Sequence, residues 1–142
     1  MCKLTRPQVP QKGNKLTDTK RAERTKKPVV GITNIGCTSK YSLKAMAKPP
    51  KRLADFAELE RFIEEFKECE SLEVAISRYI SHNKGKNTDK ESRQLVKRLG
   101  YQNEMIHLHA QRGGKGRFVI HGVYFDNIFE ILMLDPNHDF YG

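Results

Sequence analysis

The chain has 142 residues, with 26 Lys+Arg against 17 Asp+Glu for a net charge of +9, 37% hydrophobic residues and no Trp. No window approaches the roughly 18 consecutive apolar residues of a membrane-spanning helix, so no membrane partner is expected. Three scattered cysteines, Cys2, Cys37 and Cys69, form no Cys-x-x-Cys pair. Their odd number argues against a disulfide framework and reads as a reducing, cytoplasmic protein.

The charge is unevenly placed. Residues 1–53 hold 14 Lys+Arg and two acids, Asp18 and Glu23, and carry +12, whereas residues 54–142 carry −3. Low hydrophobicity with like-sign charge buries too little apolar surface to offset chain entropy. Residues 1–50 are therefore expected to be a basic, largely disordered arm. Within it, Val29–Thr33 is a β-prone run able to add an edge strand. Pro49-Pro50 cannot continue a helix and marks the boundary of a small folded domain at 51–142. A basic arm can lie along phosphates; the competing reading is a solvated linker. It is Lys-rich, broken by Pro and Gly and without an apolar face, which speaks against a transit peptide.

In the domain, Phe56, Leu59, Phe62, Ile63 and Phe66 recur at helical spacing and predict an amphipathic helix over 55–69 with an acidic outer face. Ser71 is placed to cap a second helix with Leu72, Ala75, Ile76, Tyr79 and Ile80 on its buried stripe. Thr88 and Glu91 read as a capping box opening a third helix with Leu95, Val96 and Leu99, closed by Gly100. The period then falls from 3.6 to 2. Strands are expected over 105–111, 117–125 and 128–134, joined by a glycine-rich turn at 112–116 and a tight turn at Asp126-Asn127. Two to three helices followed by a three-stranded antiparallel meander make an α+β domain.

Charge is segregated inside the domain as well. Residues 84–117 carry +6 between stretches of −5 (54–83) and −4 (118–142). Lys84, Lys86, Lys97, Arg98, Arg112 and Lys115 are the candidate nucleic-acid contacts of this band. The run Gln111-Arg112-Gly113-Gly114-Lys115-Gly116-Arg117 could hold a phosphate on glycine amides. It lacks the Walker A spacing, however, and reads equally as an ordinary hairpin turn.

His107 and His109 lie two apart and face the same side of one strand, with His121 on the next strand able to join them. His-x-His can begin a zinc site, but no Cys lies near and nothing fixes the cross-strand register. No metal and no cofactor are expected. His121 is a candidate general base, His138 and Tyr141 are candidate acid or orienting groups, and Arg117 is a candidate stabiliser of a pentavalent phosphate. Together they suit metal-free RNA cleavage, in which a 2′-hydroxyl attacks the adjacent phosphate. The competing reading gives all four a structural role.

The run Arg117-Phe118-Val119-Ile120-His121, continuing through Phe129-Glu130-Ile131-Leu132 to His138-Asp139-Phe140-Tyr141, resembles the tail of RelE/YoeB-type toxins. The resemblance implies a pair of helices on an antiparallel sheet, with a strand before the helices that only Val29–Thr33 can supply. It implies mRNA cleavage on the ribosome, with Arg117 at the basic strand position and His138 and Tyr141 at the C-terminal ones. RNA or the ribosome, and a small antitoxin-like protein, are then the implied partners. Three helical segments here replace the family's two, and Met133-Leu134-Asp135 stands where a cleaving member often has another cation. The expected function is that of a small RNA-associated protein, in its enzymatic form a RelE-like metal-independent endoribonuclease. The alternative is a non-catalytic nucleic-acid, ribosome or protein-binding module with a basic arm.

Overall fold

Alternation of apolar residues on both faces of its central strand requires cover on both sides of the sheet, and the computed structural model, which describes residues 26–50, 52–81 and 85–140, supplies it. The order is β1 (Val29–Gly31), α1 (Leu43–Met46), α2 (Leu53–Lys67), α3 (Leu72–Tyr79), α4 (Lys90–Leu99), β2 (Ile106–Gln111), β3 (Lys115–Phe125) and β4 (Ile128–Asp135). The class is α+β, as expected. No helix among the described residues is long and apolar enough to cross a membrane.

Of the four helices among the described residues, α1, α3 and α4 start at a side-chain cap, while α2, whose N-cap Arg52 makes no side-chain cap bond, rests on its apolar spacing. Ser71 caps α3 by accepting a hydrogen bond from Val74 N–H. At α4 the cap is Asp89, which accepts from Ser92 N–H, rather than the expected Thr88. Both residue types cap well, and the one with helical residues immediately after it wins. Gly100 closes α4 at φ 85°, a left-handed position that suits glycine.

Strands β2, β3 and β4 form the expected antiparallel meander, and β1 joins its edge, parallel to β4, in the order β1-β4-β3-β2. The edge strand expected within Val29–Thr33 is thus present, and the folded part extends past the expected boundary at residue 51, back at least to residue 26. Averaging composition over 1–50 hid three local anchors. The β3–β4 turn takes Val29 N–H on Asn127 O at 2.8 Å and donates from Asn127 Nδ2 to Lys27 O at 2.9 Å. The buried Glu130 carboxylate accepts Thr33 N–H. Tyr41 and Met46 then bury their side chains in the core. The expectation for 1–25 lies outside the described residues.

Two apolar layers result. On one face α2 and α3 bring Phe62, Phe66 and Tyr79 onto Leu108, Phe118, Ile120 and Phe129. Each such side chain contributes roughly 1.5–3 kcal/mol of burial. On the other face α4 and the preceding segment bring Leu95, Val96 and Tyr41 onto Met105, Val123 and Met133. Between His121 and Gly122 the register jumps, His121 facing Met133 and Gly122 facing Ile131, so Leu132 is the extra residue of a bulge. Bulges re-aim side chains locally. This one sits where the sheet's polar cluster begins.

Candidate functional site

Four histidines converge on the α4 side of the sheet. His107 and His109 share a strand face, and the β2–β3 register sets His121 directly opposite His107. Ring centroids are 6.1 Å apart for His107–His109, 5.8 Å for His107–His121 and 5.5 Å for His109–His138. His138 arrives by a turn that Asp135 builds. Its carboxylate accepts Asp139 N–H at 2.8 Å and Phe140 N–H at 2.9 Å, and the chain passes through His138 at φ 57°. A non-glycine residue in that region is costly unless the surroundings fix it. Here the two amide bonds to Asp135 do so.

The hydrogen-bond network assigns the protons. Asp89 is a carboxylate and can only accept, so the Ser92 hydroxyl donates to Asp89 Oδ1 at 2.8 Å. Ser92 Oγ then accepts from Asn87, which makes the contacting atom Asn87 Nδ2, at 3.3 Å. The same Nδ2 meets His121 Nδ1 at 2.9 Å, so that nitrogen accepts and His121 carries its hydrogen on Nε2, 3.5 Å from Asp135 Oδ2. Asn87 Oδ1 accepts from His107 Nδ1 at 2.7 Å, and Gly116 O accepts from His109 Nδ1 at 2.8 Å. One buried amide and one backbone carbonyl thus place the hydrogen of His107 and of His109 on Nδ1.

Charge follows burial. Burial, reinforced by His121, His109 and His138, lowers the His107 pKa to about 4. Burial also lowers that of His121, outweighing the opposing pull of Asp135. Asp135 goes the other way: burial would raise its pKa, but bonds from His121, Phe140 N–H and Asp139 N–H together hold it below the usual carboxylate value. At neutral pH His107 and His121 are neutral imidazoles beside an anionic Asp135. A neutral imidazole with a fixed Nδ1 hydrogen can take a proton on Nε2. Among the described residues no three His, Cys, Asp or Glu side chains are disposed to hold a metal ion.

The candidate residues fall into three groups. Arg117 is exposed and donates from Nε to Pro136 O at 3.1 Å, which puts its guanidinium beside the turn that carries His138. His121 is fully buried, closed off from solvent. Tyr141 and Lys84 lie outside the described residues. Among the described residues the cationic band does not form one surface. Lys86 and Arg93 converge on Glu104, at 3.6 and 3.9 Å, while Lys97 and Arg98 end α4. Arg112 turns to the opposite side, 3.6 Å from Glu65 of α2. The glycine-rich turn is packed against α3, with Gly113 N–H donating to Arg78 O at 2.7 Å. That amide is unavailable to a phosphate.

The sequence offers His109 only as part of the His107-x-His109 pair and gives no role to Asn87, Asp89 or Ser92. Asp89, an N-cap residue type just before the helical run, is legible as a cap, whereas Ser92 carries no local signal. Asn87 sits in a polar loop whose partners are 20 and 34 residues away, and no local pattern marks it. Comparison with family models, with curated proteins and with solved structures finds no match to this chain.

Proposed function

We propose that this protein is a small RNA-associated protein that cleaves RNA by acid–base chemistry at the histidine cluster, in the manner of RelE-like toxins. The observation that carries the reading is the facing pair His109 and His138, rings 5.5 Å apart, beside the exposed guanidinium of Arg117. His109 Nε2 takes the proton from a 2′-hydroxyl, and the 2′-oxygen bonds to phosphorus. Protonated His138 gives its proton to the departing 5′-oxygen as the P–O5′ bond breaks. The products are a 2′,3′-cyclic phosphate and a 5′-hydroxyl. Arg117 meets the negative charge that grows on the non-bridging oxygens. Two further groups act through these three: the buried Asp135 orders the turn of His138, and the Gly116 carbonyl fixes the His109 tautomer.

The order of elements also supports the reading, since β1 stands before the helices where the resemblance calls for a strand. The burial of His121 and the 8% exposure of His109 favour a second reading, a non-catalytic RNA or ribosome-binding module. Ribosome-bound mRNA incubated with protein in excess chelator separates the two. Cyclic-phosphate ends support cleavage, and salt-sensitive binding to intact RNA supports the module.

A further inference from the structure

A cleft of about 700 Å³ opens on the α4 side of the molecule, between the 38–41 segment, α4 and the C-terminal turn. Sites for small ligands run to roughly 300–1,000 Å³, so the space admits a mononucleotide. Its lining is of mixed character. The half-buried Phe140 gives it aromatic surface, backed edge to face at 5.5 Å by the largely buried Tyr41, over whose ring Lys40 Nζ lies 5.4 Å from the centroid. Among the described residues, Lys40 and Arg98 bring two cations and Glu91 one carboxylate, and Gln94 adds an amide. Glu91, Gln94 and Arg98 come from α4 at i, i+3 and i+7, so they line one exposed face of that helix in a row.

We propose that this cleft binds a nucleotide of the RNA chain next to the one that is cut. The inference rests on the RNA reading above and names where sequence preference would arise. A base lies against the aromatic wall, its edge meets Gln94 and Glu91, and its phosphate meets Lys40 and Arg98. An amide can pair with a base edge through both of its groups, and a carboxylate accepts from an exocyclic amine or ring N–H. An inorganic anion has no use for the aromatic surface, and an apolar ligand has none for the two cations. Phe140 connects the cleft to the histidine cluster. Phe140 lines the cleft and also sets its ring 5.1 Å from that of His121, edge to face. Phe140 N–H is moreover one of the two amides that hold Asp135.

The test is amide NMR titration of the full-length protein with each of the four nucleoside 5′-monophosphates, and with inorganic phosphate alone. The expected result is saturable shifts at residues 38–41 and 91–98 with at least one nucleotide. Arg98→Glu and Lys40→Ala, both at exposed positions, should each weaken that nucleotide at least tenfold, and Gln94→Ala should change the ranking of the bases. The inference is overturned if no nucleotide gives saturable shifts there, or if inorganic phosphate reproduces both the shifts and the affinity. Failure of the cleavage reading looks different. If nucleotides bind in the cleft while RNA stays whole, the subsite stands as a recognition site and the cleavage chemistry falls. If RNA is cut and the cleft gives no response, the subsite falls alone.

Discussion

His121 Nε2 faces Asp135 Oδ2 across 3.5 Å, with side-chain exposures of 0% and 1%. The same carboxylate accepts the amides of Asp139 and Phe140, so one buried group ties the sheet to the turn that carries His138. Replacing it by Asp135→Ala leaves the two amides and the imidazole without their acceptor. Buried groups left unpaired cost about 1–3 kcal/mol each, less where water enters. A loss of about 3 kcal/mol is expected in chemical denaturation, with the His138 ring released. A loss below about 0.5 kcal/mol would contradict this role.

Asn87 makes the second prediction. Its amide serves His107, His121 and Ser92 at once and is fully buried. Asn87→Ala should lower stability by about 3 kcal/mol, on the same reasoning about unpaired groups. It should also change the tautomer balance of His107 and His121, which long-range nitrogen–proton NMR spectra report directly. Unchanged ring nitrogen shifts would show that the amide does not set the protons.

The pH dependence follows from the depressed histidines. The ordinary His value is 6.5, and His107 is lowered to about 4, with His121 lowered as well. Between 6.5 and the folded values the unfolded chain binds protons that the native state refuses. Stability is thus complete above pH 6.5 and falls as the pH drops toward 4. Asp135, also lowered in the native state, adds a loss below the ordinary carboxylate range. Urea midpoints measured from pH 7.5 down to 4 should decline through this window, and the His107 ring proton should titrate near 4. Titration near 6.5 would refute the enclosed site.

Glu130 is the anchor of the edge strand. Its carboxylate accepts Thr33 N–H, and it packs against Gly31, where any Cβ would run into it. Glu130→Ala should free β1 while the meander persists. Amide exchange would then rise at residues 29–33 and stay slow at 118–124. Equal protection at both would show that β1 is held by its ladder bonds alone.

Much of this arrangement was legible in the sequence because it rests on local periodicity. The apolar spacing from Leu59 to Phe66, the cap at Ser71, left-handed Gly100 and the period-2 run from Ile106 to Leu134 each report a neighbour only a few residues away. What the sequence does not show is long-range. The β-prone run at Val29–Thr33 marks the edge strand, but Asn127 and Glu130, which hold it, lie about a hundred residues away, and composition averaged over the arm gives no sign of them. The histidines were visible as types, but their assembly needed the β2–β3 register and the Asp135 turn. The spread of the cationic band over both faces could not be read from charge counts, since Arg112 answers Glu65 and Lys86 answers Glu104 only after folding.

The most direct measurement is end-group analysis of ribosome-bound mRNA incubated in chelator with the wild-type protein, His109→Ala and His138→Ala. The wild type should produce 2′,3′-cyclic phosphate and 5′-hydroxyl ends. Each variant should lose roughly a hundredfold or more in rate, the scale of a general acid or base, while RNA affinity stays within about twofold. RNA left equally whole by all three proteins, with binding intact, would contradict the account.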